Sequence, residues 1–154
     1  MSDVSHMHVT IGDPETVRQG LAHLDYAYII DGTKCRKYKA LFKEFAKQLQ
    51  FPDSFTHSWA ALGECINDLD WLSHDAIIIC LTDTGAVLNK EKNGFAVFIE
   101  VLRRAAVSRS AEKRGKPSLP FHVIFHFREQ STRIQEIEQI IDARLHNMVF
   151  EPQG

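Results

Sequence analysis

Apolar residues recur along this chain at helical and at strand spacing. Tyr38, Leu41, Phe42, Phe45 and Leu49 fall at i, i+3, i+4, i+7 and i+11, with Lys39, Lys43 and Lys47 on the outer face. That spacing predicts an amphipathic helix. Phe51-Pro52 stops it, because a residue before proline is pushed out of the helical region. Phe55, Trp59, Leu62, Ile66 and Leu69 make a second stripe, with His57, Ala60, Ala61, Glu64 and Asp68 on another face. Phe95, Phe98, Ile99 and Leu102, behind Asn93-Gly94, predict a further helix. Ile134, Ile137, Ile141, Leu145 and Met148 predict one more, with Thr132 and Gln135 placed as a capping box. Near the start, Asp13-Pro14-Glu15 reads as an N-cap with proline at the first helical position, followed by Val17, Leu21 and Leu24.

Between these helices lie three runs of strand character. Tyr26 to Ile30 ends at the turn Asp31-Gly32, Ala76 to Leu81 is continuously apolar, and Phe121 to Phe127 reads FHVIFHF. An unbroken apolar run of that length fits a strand covered on both faces. Strands alternating with helices predict an α/β domain with three parallel strands joined by right-handed crossovers, and an extra helix at each terminus. At 154 residues the chain is expected to be a single domain, 1–154. Its core spans about 26–127, with an N-terminal extension 1–25 and a C-terminal helical extension 131–150.

Charge sharpens this picture. The chain holds 18 Lys+Arg and 20 Asp+Glu, yet Gln48 to Asn89 contains neither Lys nor Arg. That segment carries Asp53, Glu64, Asp68, Asp70, Asp75 and Asp83, so the rest of the chain is basic. A patch of one sign steers a partner of the opposite sign. Glu64 and Asp68, four residues apart, share one helical face away from the apolar stripe. They are either a carboxylate pair for a basic partner or a solvated surface. A basic cluster, Arg103, Arg104, Arg109, Lys113, Arg114 and Lys116, is the rival signal, but no aromatic positions interleave with it for base stacking.

The remaining chemistry is sparse. Cys35, Cys65 and Cys80 are odd in number and far apart, which fits neither a disulfide framework nor a CxxC metal site. His122 and His126 share a strand face and read as structural, and His6-Met7-His8 reads as a tail feature. No GxGxxG, GxxxxGK[ST] or GxSxG motif occurs. No enzyme, catalytic residue, cofactor or metal is expected. The N-terminus lacks the pattern of a secretory signal, and no apolar run reaches membrane-span length, so a cytoplasmic protein is expected.

The region from Tyr26 to Phe127 resembles the barstar family of intracellular inhibitors of barnase-type ribonucleases. The resemblance rests on Ile29-Ile30-Asp31-Gly32, on FPDSF at 51–55, on Trp59-Ala60-Ala61-Leu62 and on CINDLDWL at 65–72. It implies a small three-stranded parallel sheet packed by helices. It also implies a protein whose second helix and preceding loop plug a ribonuclease active site, with carboxylates standing where RNA phosphates bind. By position, the family's aromatic pair after proline keeps Phe55 but has Ser54 before it. The family's glycine-polar-asparagine turn becomes Thr56-His57-Ser58. One inhibitory carboxylate position falls on Ala60, the next aromatic or polar position on Gly63, and the second carboxylate on Glu64. A later acidic position falls on Arg104, reversing its sign.

The resemblance therefore implies an immunity protein for a cognate toxin, a basic ribonuclease, with Phe55, His57, Trp59, Ala60, Gly63, Glu64 and Asp68 as the partner-binding residues. No membrane partner is expected, and nucleic acid is the weaker alternative, through the 103–116 cluster. The other alternative is a non-inhibitory adaptor on the same scaffold, with contacts or homo-oligomerisation through the terminal helices.

Overall fold

The computed structural model describes residues 6–91, 93–110 and 120–152. Five strands and five α-helices follow one another as β1 (Met7–Ile11), α1 (Pro14–Leu21), β2 (Ala27–Asp31), α2 (Tyr38–Gln48), α3 (Trp59–Asp68), β3 (Ile77–Thr82), α4 (Gly94–Ser110), β4 (Phe121–Phe127), α5 (Thr132–Ile141) and β5 (His146–Asn147). The strands form one sheet in the order β2-β3-β4-β1-β5, and every neighbouring pair is parallel.

The expected α/β class and parallel sheet are correct, but the sheet has five strands rather than three. The two additional strands come from the termini. Residues Met7 to Ile11 pair with Val123 to Phe127, and His146 and Asn147 pair with His8 and Val9. The terminal segments are thus more than added helices. The His6-Met7-His8 stretch likewise leads into a central strand, in which Met7 is fully buried.

Strand alternation sends side chains to two cores. Val9, Ile79, Leu81, Val123 and Phe125 face the larger one, with Leu41 and Phe45 of α2, Leu62 and Ile66 of α3, Phe98 and Leu102 of α4, and Ile134 and Ile137 of α5. Cys80 and Ile124 face the smaller one, against Val17 and Leu21 of α1 and the side chains of Met148 and Phe150. β3 contributes to both, as its unbroken apolar run requires.

Local signals explain most element ends. Asp13 accepts from the Glu15 amide at 2.9 Å, with Pro14 opening α1. The cap of α5 is Ser131, one residue before the expected Thr132, and its hydroxyl accepts from the Arg133 amide at 3.2 Å. α3 begins at Ser58, whose hydroxyl accepts from the Ala61 amide at 3.1 Å. It ends at Leu69 in the left-handed region, φ 49°. α4 runs through Ser110, eight residues past the last position of the expected stripe, Leu102, and Lys113, Arg114 and Lys116 lie outside the described residues.

Candidate partner-binding site

α3 stands at the edge of the larger core, with Leu62 and Ile66 fully buried below and Ala60, Glu64 and Asp68 exposed above. Trp59 is the hinge between the two environments. Its ring meets Phe42 edge-on at 5.0 Å and Tyr38 at 5.8 Å, and lies 6.2 Å from Phe98. The loop before α3 is fastened by aromatic contacts: Phe55 lies 5.0 Å from Phe51 and 4.9 Å from His57. His57 is exposed and adopts φ 52°, a conformation few residues tolerate, at the bend that leads into the helix.

Two grooves flank Trp59. Between α3 and α4 lies a groove of about 450 Å³. Trp59, Ala60, Gly63 and Glu64 form one wall, continued by Asn67, and Val101, Arg104, Ala105 and Ser108 form the other. On the opposite side, about 610 Å³ opens among Tyr38, Lys39, Phe42, Lys43, His57, Ser58 and Trp59. Five of the seven expected partner-binding residues therefore line one or both grooves. Phe55 supports the loop from beneath, and Asp68 sits beyond both.

The small residues create the first groove. Gly63 has open space beside it, since an added Cβ would meet only Val101 Cγ1 at 3.6 Å. The Asn67 side-chain oxygen at the groove wall is buried without a hydrogen-bond partner, an acceptor left open. Sequence reasoning missed Asn67 and the α4 wall, because contact between two helices is not written in the periodicity of either.

Charge on this face is mixed. None of the ion pairs among the described residues involves Glu64. Arg104 is 77% exposed and pairs with Glu100 at 3.1 Å, while Glu100 also pairs with Arg103. Those two arginines hold the Glu100 carboxyl below its usual range, the hydrogen bond from Arg103 contributing most. The Asp68 carboxyl is pushed up, by burial first and then by its hydrogen bond with Asp70 and that neighbour's charge.

Arg109 is not part of an open basic surface. It is 7% exposed, and its Nη1 donates to the carbonyls of Asn67 and Asp68 at 3.0 Å each, and to Ile66 at 3.4 Å. A cation thus closes the C-terminal end of α3, where unsatisfied carbonyls concentrate negative charge. Among the described residues of the basic cluster, Arg103 and Arg104 are engaged on Glu100 and Arg109 on the α3 carbonyls.

Two of the short words noted in the sequence, at 29–32 and 65–72, carry scaffold contacts. Asp31 accepts from the Thr33 amide at 2.9 Å and caps the turn after β2. Gly32 lets the carbonyls of Thr82 and Asp83 come so close that a Cβ would stand 2.4 Å from each. Trp71 donates its indole N–H to the Leu49 carbonyl at 2.9 Å, tying the turn after α3 to the end of α2.

These features coincide with a family match. The family model described as Barstar (barnase inhibitor) matches residues 26–125. The chain belongs to the barstar family. That family is one of barnase inhibitors. The barstar region covers β2 to β4 with α2, α3 and α4, so both grooves lie inside it. No curated protein matches the chain in sequence. Among solved structures, one similar chain belongs to the structure of Drosophila ORC bound to AT-rich DNA and Cdc6. The TM-score is 0.51 at 9% identity, over 92% of this chain and 48% of that one. At that identity the likeness is one of fold, and this chain spans about half the length of the one it matches. Among the described residues no helix is long and apolar enough to cross a membrane, and no group of three His, Cys, Asp or Glu side chains could hold a metal.

Proposed function

We propose that this protein is an immunity protein that binds a cognate toxin, a ribonuclease, and blocks its active site with the α3 face. The observation that carries this reading is Glu64. It is exposed, outside every described ion pair, and set beside Ala60 and Gly63 on one wall of the groove between α3 and α4. A ribonuclease site gathers Arg, Lys and His to hold phosphate. A carboxylate fixed on a helix pairs with such a cluster and offers no bond to cleave.

Here Trp59, His57 and Phe55 supply the rigid aromatic surface beside the charge, as interface anchors commonly do. Ala60 and Gly63 contribute by being small: a partner side chain can lie against the helix backbone. Asp68 strengthens the negative field from one turn further along. A cytoplasmic protein is the corresponding expectation, since a toxin must be neutralised where it would act.

The adaptor reading rests on Ala60 and Arg104, which remove one acidic position and reverse another. Deleting α5 does not test it, because Ile134, Ile137 and Ile141 belong to the larger core. The decisive experiment compares the intact chain with Glu64→Lys as bait for proteins of the native lysate, followed by ribonuclease assays on what each retains. The inhibitor reading expects a basic protein that cleaves RNA, held and silenced by the intact chain and released by Glu64→Lys. Equal retention by both baits, or captured ribonuclease left fully active, would overturn it in favour of an adaptor.

A further inference from the structure

Four histidines meet on the sheet face that α1 covers, far from the α3 grooves. His8 of β1 lies with its Nε2 3.0 Å from Nδ1 of His122 on β4. The His6 ring stands edge-on to His122 at 4.8 Å, and the His146 ring of β5 stands edge-on to His8 at 5.5 Å. The cluster lies where the C-terminal segment joins the sheet. β5 is two residues long and pairs only with β1, through His8 with His146 and Val9 with Asn147. Beyond it the Met148 amide donates to the Val9 carbonyl at 2.8 Å, and Met148 and Phe150 pack on the patch made by Val17, Leu21, Cys80 and Ile124. The Phe150 ring lies directly on Gly20.

We propose that His8 and His122, packed between the His6 and His146 rings, form an acid-sensitive latch: uncharged, the pair holds residues 146–150 against the α1 face, and its protonation releases that segment while the rest of the fold stays intact. The hydrogen bond between His8 and His122 needs one bare ring nitrogen opposite one N–H. Protonating both rings sets donor against donor. The charges acting on His8 are those of His122, His146 and His6, and the one acting on His122 is that of His6. Arg18 of α1 and the buried His126 of β4 also lie toward this face; Arg18 acts on Cys80, Asp83 and His126, and neither is among the charges acting on His8 or His122. No carboxylate is among them, so an imidazolium formed here gains no counter-charge.

Burial, followed by those neighbours, holds His8 down to about 4, and burial also lowers His122. The docked state therefore binds fewer protons than the released state. Docking is at full strength above the ordinary histidine range and weakens as pH falls from about 6.5 toward 4. The segment is the part of the sheet with least to lose, since two backbone pairings and two partly buried side chains hold it.

The test follows the Met148 methyl resonance of the whole chain from about pH 7.5 to about pH 4.5, with tryptophan fluorescence reporting on the remainder of the fold. The expected result is release of Met148 with a midpoint between about 4 and 6.5 while the Trp59 and Trp71 signal holds. In His8→Gln, which stays neutral, Met148 remains docked at the acid end. In His146→Gln, an exposed position whose loss spares the core, the midpoint falls by roughly half a pH unit or more. Three results would overturn the latch: Met148 staying docked throughout in the intact chain, Met148 moving only together with the tryptophan signal, or His146→Gln and the intact chain releasing at the same pH. The last decides the matter even if His8→Gln does not fold.

Discussion

Replacing Arg109 with methionine tests how α3 is held in place. Methionine keeps an unbranched stem, so packing changes little, and the guanidinium is what is lost. Two bonds to the Asn67 and Asp68 carbonyls, both 3.0 Å, disappear, and the 3.4 Å contact to Ile66 is too long to weigh much. Bonds from a charged donor contribute about 1.5–3 kcal/mol each. A cation closing a helix C-terminus adds up to about 2 kcal/mol, and its position 5.3 Å over the Phe121 ring about 0.5–1 kcal/mol more. Against these stands the cost of taking a guanidinium out of water, several kcal/mol. That cost shows in the lowered pKa of Arg109, with burial the leading cause, and in its Nε, buried without a partner. The difference leaves a net loss of about 2–3 kcal/mol for Arg109→Met. Urea unfolding followed by tryptophan fluorescence measures it directly. Arg109→Lys keeps the charge but not the fork, and should recover about half of the loss. A methionine variant as stable as the parent, or more so, would refute the reasoning, because it would mean that desolvation outweighs the cap.

Gly32→Ala should destabilise the fold by about 3 kcal/mol, since the new Cβ would meet two backbone carbonyls of the β3 end at 2.4 Å and neither can step aside. Gly85→Ala, with nothing within 4 Å, is the matched control, and thermal melts of the pair decide the point. Trp71→Phe keeps the aromatic bulk but strands the Leu49 carbonyl. A loss of about 1–2 kcal/mol in chemical denaturation is expected, with α3-face binding unchanged.

What could be read in the sequence followed from periodicity and termination. The stripes of α2 and α4 are long, and Asp13-Pro14 and Asp31-Gly32 are strong local signals, so those elements begin where expected. α5 stops at Ile141, short of the expected Leu145 and Met148, because Asp142 takes the chain into the left-handed region and the segment after it joins the sheet. β1 and β5 escaped notice for a physical reason. MHVTI is five residues with a polar side chain at every second place, and HN is two, so neither carries enough pattern to distinguish strand from tail. β1 exists because β4 offers an unfilled edge, and β5 because β1 then offers one, both properties of the assembled sheet. The site divides in the same way. Glu64, Trp59 and the α3 face could be placed by spacing on one helix, whereas the groove depends on Val101, Ala105 and Ser108 arriving from α4. Arg109 reads as one more basic residue until the carbonyls of α3 are set in front of it.

The position of β1 between β4 and β5 has a consequence for how the molecule is made. Gly12 and His126, joined by a 2.8 Å hydrogen bond at the ends of their strands, are 114 residues apart. At ordinary rates of synthesis β4 follows β1 by roughly 6–20 s. During that interval β1 has no partner strand in the emerging chain. β2 and β3 are both made before β4 and can pair while β1 still waits. Such long-range closure is slow relative to local pairing. Insertion of β1, and then of β5 along it, is thus expected late in folding. Damage to either end of the sheet would lower the yield of folded protein before it altered what the finished α3 face can bind.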